Sequence, residues 1–130
     1  MTDETPVTTA TAWQEAVNAQ DEALLLLLSH PDVEIVGPRG TAKGHEVLVT
    51  WLKRAGLALE TRRVFAKGNA VVFSQHGVWR ALETGEHQGE AEVASSFLVR
   101  NGQVAEIARY DTLAEALARA GLGEADEVLS

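Results

Sequence analysis

Alternating apolar and polar residues between positions 57 and 111 constrain the fold more than any other feature of the sequence. A period of two places the apolar side chains on one face of a β-strand. Turn residues divide the stretch into four segments, "LALETRRVFA", "AVVFSQHGVWRAL", "GEAEVASSFLVR" and "QVAEIARYD". The last turn is Asn101-Gly102, a pair that two-residue hairpins favour because both central residues adopt positive φ. The sequence therefore predicts an antiparallel meander of four strands.

Helical patterns flank this meander. A first helix is predicted to begin at Thr11, which forms a capping box with Gln14, and Asp21 is predicted to cap a second, short helix through the leucines. The segment "HEVLVTWLKRAG" predicts a third helix. A fourth, "LAEALARAG", begins with a capping box at Thr112 and Glu115. A short strand, "VEIVG", precedes the third helix.

Helices and strands that are segregated along a chain indicate an α+β fold, with the helices laid on one face of the sheet. A length of 130 residues predicts one domain, residues 1–130. Its core is expected at about residues 9–122, and the acidic ends of the chain, among them "LGEADEVLS", are expected to be loose.

The turn at Asn101-Gly102 predicts the register of the last hairpin by counting outward from its two central residues. Glu92 then lies opposite Asp111, on the same face as Arg109. Both faces of this hairpin are apolar at their centres. Because a sheet that is covered on one side has a polar second face, the second apolar face predicts a homodimer formed through the sheet.

The charge and residue content exclude several classes of function. A net charge of -8 repels polyanions, so neither nucleic acid nor an anionic membrane surface is an expected partner. Cysteine is absent, and the four histidines show no i, i+4 pair of the kind that binds metals, so no metal or other cofactor is expected. The apolar run from Leu24 to Leu28 is far shorter than the ~20 residues that span a bilayer. The acidic start "MTDETPVTT" predicts a cytoplasmic protein.

Three segments carry a resemblance to a known family: "WQEAVNAQDEALLLLL", "VEIVGPRGTAKGHEVLVTWLKRAG" and "VRNGQVAEIARYDTLAEALARAGL". They resemble the SnoaL-like branch of the nuclear transport factor two-like superfamily, from about Thr9 to Leu122. The resemblance implies a curved antiparallel sheet that N-terminal helices wrap into a cone with an internal cavity, a cystatin-like roll. Members include ketosteroid isomerases, polyketide cyclases, limonene epoxide hydrolases and non-catalytic binding modules, so the fold does not select one activity.

The resemblance to ketosteroid isomerases can be followed position by position. Aligned through "AVNAQD", the tyrosine that donates to the oxyanion falls at Trp13, and the general-base aspartate falls at Ile35 or Val36. None of these three residues carries a carboxylate or a hydroxyl group. Steroid isomerisation by that mechanism is therefore not expected.

Glu92, Arg109 and Asp111 form the first candidate catalytic group, similar to the Asp-Arg-Asp arrangement of limonene epoxide hydrolases. Two carboxylates that share a guanidinium can hold a water between an acid and a base. The alternative is a cross-strand ion pair at a wet edge of the sheet. The resemblance to polyketide cyclases implies that Asp111 matches the aspartate in their cavity. Alternatively, Asp111 only stabilises the following helix, because an acidic residue just before a helix interacts favourably with its positive end.

His76, in the middle of "FSQHGVW", is the second candidate catalytic residue. Counting from a turn at Gly68-Asn69 places it on one face with Ser74, Thr61 and Arg63. A histidine among hydroxyl groups and apolar residues suits the wall of a cavity, where it can transfer a proton. The alternative is a hydrogen-bonded histidine on a half-buried strand.

The expected ligand is a small hydrophobic organic molecule in the cavity. The residues expected to contact it are Trp13, Trp51, Arg63 and Tyr110, and Arg39 in "GPRGTAKG" is expected at the rim or in solvent. Catalysis stays open at this point: an isomerase, a cyclase or an epoxide-hydrolase-like enzyme remains an alternative. A further alternative is a non-catalytic, dimeric interaction module whose pocket is filled by Trp13, Trp51 and Phe73.

Overall fold

The computed structural model describes residues 5–37, 40–54, 57–81 and 84–128. In this part of the chain four α-helices lie against a seven-stranded sheet of order β2-β1-β6-β5-β4-β3-β7. The helices are α1 (Pro6–Ala19), α2 (Glu22–Leu27), α3 (His45–Arg54) and α4 (Leu113–Ala120). The strands are β1 (Ser29–Gly37), β2 (Gly40–Lys43), β3 (Leu57–Lys67), β4 (Ala70–Arg80), β5 (His87–Arg100), β6 (Gln103–Tyr110) and β7 (Glu127–Val128). The predicted α+β class, with helices on a curved and open sheet, is confirmed.

The two N-terminal helices begin at capping residues. Thr5 caps α1, because its hydroxyl accepts a hydrogen bond from the backbone N–H of Thr8, and Pro6 occupies a first-turn position that suits proline. The predicted start at Thr11 is therefore wrong. Asp21 caps α2 through the backbone N–H of Leu24, as predicted.

The predicted meander is confirmed in strands β3 to β6, each antiparallel to the next. Asn101 and Gly102 both adopt positive φ, 53° and 75°, so the last turn is of the predicted type. The first turn also has two residues, since Lys67 pairs with Ala70 across it. Turn chemistry and alternation thus located these strands to within a few residues.

Two β-bulges change the predicted registers. Val99 pairs with Val104 as predicted, but Leu98 pairs with Glu106, which leaves Ala105 as an extra residue on β6. A bulge shifts the pairing of everything beyond it by one residue. Arg109 consequently lies opposite Ser95, and the predicted pairing of Glu92 with Asp111 is wrong.

The second bulge lies on β3, where Arg62 is the extra residue between the pairs that Thr61 and Arg63 form with β4. Thr61 therefore lies opposite Gln75 and not on the face of His76, whereas Arg63 stays opposite Ser74. The prediction that Ser74 and Arg63 share a face with His76 is correct, and the prediction that Thr61 lies on that face is wrong.

The helices cover both faces of the sheet. The first three pack on the inner face, where Trp13 and Leu48 meet Phe73 and Phe97 in the larger buried cluster. Helix α4 packs on the outer face, where its Ala116 and Leu117 join a second cluster of residues from the strands: Phe65, Val72 and Ala94. The second apolar face, which predicted a homodimer, is thus partly covered by this chain itself. The homodimer stays a prediction.

The segment after α4 returns to the sheet. Strand β7 pairs antiparallel with β3, so that Val128 lies opposite Val64 and Glu127 opposite Phe65. A 3₁₀ turn, Glu124–Asp126, precedes it. The C-terminal segment up to Val128 is therefore placed against the far edge of the sheet, which corrects the prediction of a loose tail there. The N-terminal residues 1–4 lie outside the described part of the chain.

Of the helices described, none combines the length and the apolar content needed to cross a membrane.

Candidate functional site

A cavity of about 760 Å³ lies where α1, α3 and α4 approach the ends of β1 and β6. Its lining residues are Trp13, Ile35, Val36, Leu48, Trp51, Ile107, Arg109, Tyr110, Asp111, Glu115 and Arg119. The apolar members are buried or half-buried, whereas Asp111, Glu115 and Arg119 are exposed. The cavity therefore has an apolar interior and a charged mouth, and its volume falls in the usual range of small-molecule sites.

The position of Trp13 in the cavity wall is determined by its own hydrogen bond. Its indole N–H donates to the Ser29 hydroxyl at 2.9 Å, and that hydroxyl donates to the backbone carbonyl of Leu25 at 2.7 Å. The ring stacks on Trp51, with centroids 6.2 Å apart, and meets the edge of Phe97. Because its N–H is already engaged and its side chain is fully buried, Trp13 supports the cavity wall from behind and offers a ligand no donor.

The three positions that the isomerase alignment selected come together in this wall. Trp13, Ile35 and Val36 all line the cavity. The oxyanion donor of that mechanism is replaced by an indole whose N–H bonds to Ser29, and the general base by an aliphatic side chain. The aligned positions therefore lie in the cavity wall, but they carry neither an oxyanion donor nor a general base.

Arg109 extends from β6 into the cavity wall, and among the described residues its guanidinium has no hydrogen-bond or ion-pair partner. Its Nε atom is buried and has no hydrogen-bond acceptor, and in the described part of the chain no carboxylate oxygen lies within 4.0 Å of its guanidinium. The guanidinium carbon lies 5.5 Å from the centre of the Trp51 ring, within cation–π distance. Burial lowers the pKa of Arg109 to about 10, so the group remains charged at neutral pH.

Asp111 lies at the mouth of the cavity and does not supply the capping bond of α4. That bond comes from Thr112, whose hydroxyl accepts from the backbone N–H of Glu115 at 3.2 Å. The side chain of Asp111 is exposed and makes no hydrogen bond within the described residues. The predicted capping role of Thr112 is confirmed, and Asp111 is left free to face a ligand.

Glu115 and Arg119 are two lining residues that the sequence analysis missed. They follow Asp111 at intervals of four residues in "DTLAEALAR", which is the spacing of neighbours on one side of a helix. That spacing could have identified them, once Asp111 had been placed at the cavity. Together the three residues put two carboxylates and one cation at the mouth.

His76 and Glu92 lie on the outer face of the sheet, away from this cavity. They are paired on neighbouring strands, and the Glu92 carboxylate bonds to Nδ1 of the His76 ring. The other ring nitrogen lies 3.5 Å from Glu90. This arrangement corrects two predictions, because His76 is not in the cavity wall and Glu92 does not join Arg109 and Asp111. Alternation along β4 places Gln75, and not His76, on the inner face.

Arg63 also lies on the outer face, where it holds the C-terminal segment. Its guanidinium donates to Glu127 at 2.9 and 3.0 Å and to Glu124 at 3.2 Å. These hydrogen bonds raise the pKa of Arg63 and lower the pKa of Glu127. The prediction that Arg63 contacts the cavity ligand therefore has no support in the geometry. Tyr110 and Trp51, by contrast, do line the cavity. Arg39, expected at the rim, lies outside the described residues.

The sequence analysis also missed a buried polar network between α1 and the sheet. Gln75 is fully buried: its Oε1 accepts from the Ser95 hydroxyl at 2.6 Å, and its Nε2 donates to Gln14 at 3.1 Å and to Thr61 at 3.3 Å. The network joins α1 to β3, β4 and β5. It fixes the helix that carries Trp13, and it lies outside the cavity lining.

Within the described ranges, no group of three or more His, Asp or Glu side chains is arranged to hold a metal ion.

Solved structures that are described as NTF2-like or cystatin-like share this fold. An NTF2-like protein from Burkholderia xenovorans has a TM-score of 0.69 at 25% identity, over 92% of this chain and 98% of its own. A protein with a cystatin-like fold from Xanthomonas campestris has a TM-score of 0.71 at 18% identity, over 82% and 90%. The TerC protein, co-crystallised with polyporic acid, has a TM-score of 0.69 at 22% identity, over 88% and 96%.

The family follows from the sequence profile. The profile of the SnoaL-like domain matches residues 10–107, which is most of the chain. The chain therefore belongs to the SnoaL-like domain family. No protein among those with curated descriptions matches it.

Proposed function

We propose that this protein binds a small, largely hydrophobic organic molecule in the cavity between α1, α3 and β6. The observation that carries the proposal is the cavity itself, about 760 Å³ with Trp13, Trp51 and Ile107 in its interior. Small-molecule sites are typically concave and apolar, with a few polar groups that orient the ligand. The charged residues near the mouth supply those polar groups here.

The arrangement of the aromatic residues supports a binding site over a filled interaction module. Trp13 and Trp51 stack on each other in the wall and leave the cavity open beside them. Phe73 packs on Phe97 in the core, with centroids 5.1 Å apart, and does not line the cavity. The TerC protein was co-crystallised with polyporic acid, but at 22% identity the likeness carries the fold and not the ligand.

A fluorescent probe tests the proposal without knowledge of the natural ligand. N-phenyl-1-naphthylamine is small and uncharged, and its emission rises in apolar surroundings. We expect saturable binding to the wild-type protein. The variant Val36→Trp fills the cavity and is expected to lose at least about tenfold in affinity, or about 1.4 kcal/mol.

The control variant Leu27→Trp adds the same ring at an exposed position of α2, outside the cavity, and is expected to bind as the wild type does. Equal binding by Val36→Trp and Leu27→Trp, or no saturable binding at all, would contradict the proposal.

An acid–base enzyme is the second candidate function, and the position of Asp111 favours it. Asp111 and Glu115 both line the cavity that also contains Arg109, so that two carboxylates and a guanidinium face the same space. Such a set suits epoxide hydrolysis or the proton transfer of a cyclase. Glu92, the second acid that the sequence predicted, has no part in it.

Hydrolysis of a panel of small cyclic epoxides in ¹⁸O-labelled water tests this candidate. Diol that carries the label is the expected product of the wild type. Asp111→Asn is expected to lose about a hundredfold or more in rate, in the range of acid–base contributions. The control Glu106→Gln changes a carboxylate on β6 that does not line the cavity. Equal rates for the two variants, or no diol with the wild type, would count against the hydrolase.

The homodimer through the sheet also remains our proposal. Beyond the part that α4 covers, the outer face keeps half-buried apolar side chains, among them Ala70 and Leu98. Sedimentation velocity at micromolar concentration is expected to show a dimer, and a monomer at all concentrations would refute this.

A further inference from the structure

We infer that the cavity selects organic anions: molecules with a flat apolar body and one carboxylate, which Arg109 binds. The inference rests on the proposed binding function and specifies the chemical class of the ligand. It follows from three features of the cavity: an unpaired cation, an aromatic wall directly beside it, and acidic residues at the mouth.

The first feature is the missing partner of Arg109. A guanidinium has five N–H donors, and buried donors are nearly always satisfied in folded proteins. The Nε–H of Arg109 is buried without an acceptor, and no carboxylate of the described residues lies within 4.0 Å of the group. Ser95, directly opposite on β5, uses its hydroxyl hydrogen on Gln75. A ligand carboxylate would give the cation the partner that the protein does not provide.

The second feature is the aromatic surface beside this cation. The Arg109 guanidinium lies over Trp51, and Trp51 stacks on Trp13, so that cation and aromatic rings form one continuous wall. A planar guanidinium binds a planar carboxylate through two parallel hydrogen bonds. A molecule whose carboxylate is attached directly to a flat ring can therefore meet Arg109 and the indole surface together.

The third feature limits the number of charges on the ligand. Asp111 and Glu115 are exposed at the mouth beside a single cation, Arg119, and the whole protein carries a net charge of -8. These charges repel an anion at a distance, and a dianion more strongly than a monoanion. Arg109 offsets this repulsion only for a charge that reaches the interior, which favours an apolar monoanion over a phosphate or a dicarboxylate.

Two molecules of nearly the same shape separate the effect of charge from that of the apolar body. Titration calorimetry at neutral pH compares 2-naphthoate with 2-naphthamide, in which an uncharged amide replaces the carboxylate. For the wild type we expect 2-naphthoate to bind about tenfold or more tightly than the amide, as a charge-assisted pair implies. Arg109→Met is expected to abolish this preference and to keep the affinity for the amide within about threefold, since the apolar contacts remain.

Two further variants control for charge and position. Arg119→Met removes a cation at the mouth and is expected to keep most of the preference, because an exposed charge is screened. Arg109→Lys keeps the charge but loses the planar fork, and an intermediate preference is expected. Thermal unfolding checks that each variant is folded. If Arg109→Met does not fold, the reduced preference of Arg109→Lys decides the question.

The outcomes separate this inference from the proposed function. Equal affinity of the wild type for both molecules overturns the inference and leaves the binding function in place. A preference that survives in Arg109→Met, or that disappears in Arg119→Met instead, also overturns it, since the anion then binds elsewhere. If neither molecule binds, although N-phenyl-1-naphthylamine does, the inference fails alone; if the dye fails as well, the proposed function fails too.

Discussion

Arg63 and Arg109 are two arginines of one sheet in opposite electrostatic situations. Arg63, on the outer face, is held by the carboxylates of Glu124 and Glu127, and its pKa is raised. Arg109, on the inner face, is partly buried with an unsatisfied Nε, and its pKa is lowered to about 10. Arg63 holds the C-terminal segment against the sheet, whereas the guanidinium of Arg109 is not used in an ion pair among the described residues. A residue type alone therefore does not show which role an arginine has.

The buried network around Gln75 gives the largest effect and shows what a satisfied inner polar group contributes. Gln75→Leu leaves Ser95, Gln14 and Thr61 without their buried partner. At Arg109, by contrast, the wild-type Nε–H itself has no acceptor among the described residues. We expect the free energy of unfolding to fall by about 2–4 kcal/mol in urea denaturation. The control Gln103→Leu removes an amide bonded at the surface and should cost less than about 1 kcal/mol. Equal losses in the two variants would show that the buried network contributes no more to the free energy of unfolding than a hydrogen bond at the surface.

Arg109→Met should stabilise the unliganded protein, which is the opposite sign to the loss at Gln75. The substitution removes a desolvated cation without a partner and keeps an apolar side chain of similar length over Trp51. We expect a gain of about 1–2 kcal/mol in the free energy of unfolding, reduced by the loss of the cation–π contact. A clear loss of stability would mean that the guanidinium is paired in solution, and the contrast with Arg63 would disappear.

The pH dependence of that gain identifies its cause. Burial lowers the pKa of Arg109 to about 10 in the folded protein, below its ordinary value in the unfolded chain. Well below pH 10 both states hold the proton, so the gain of Arg109→Met is constant. Above about pH 10 the folded wild type loses its proton first, the unfolded state binds more protons, and the wild type becomes relatively more stable with rising pH. The gain should shrink by about 1 kcal/mol near pH 11. A gain that does not change with pH has another origin.

Arg63→Met gives the smallest effect of the series. Ion pairs at an exposed surface contribute little, so only a small loss in the free energy of unfolding is expected, and added salt should reduce it. The local effect should be larger than the global one, because strand β7 depends on these contacts. Faster hydrogen exchange at Glu127 and Val128, with unchanged exchange in β5, is the expected pattern. Unchanged exchange at β7 would show that backbone pairing with β3 is sufficient to hold it.

Much of the architecture could be predicted because its causes are local. Asn101-Gly102 determines a turn, Asp21 and Thr112 start helices, and a period of two marks each strand of the meander. The resemblance through "AVNAQD" likewise implied positions for Trp13 and Ile35 that proved to line the cavity.

The composition of the site could be predicted only in part, because the faces of the strands depend on the bulges. No residue type marks Ala105 or Arg62 as the extra residue of its strand, yet each changes the pairing of all residues beyond it. Counting from the turns therefore placed Glu92 beside Asp111. The prediction that His76 lies in the cavity wall was wrong for a related reason, since only the packing of the helices decides which face of β4 becomes the interior.

The bulge at Ala105 makes the chemical content of the cavity depend on chain length. Ala105 takes up one residue of β6 without a partner, and this offset brings Arg109 opposite Ser95 on the inner face. In a strand that paired without the offset, Ala108 would lie opposite Ser95, and Arg109 would lie opposite Ala94 on the face that α4 covers. The interior would then lack its guanidinium without any substitution at position 109, so the charge of this site is set by the number of residues between the turn and Arg109.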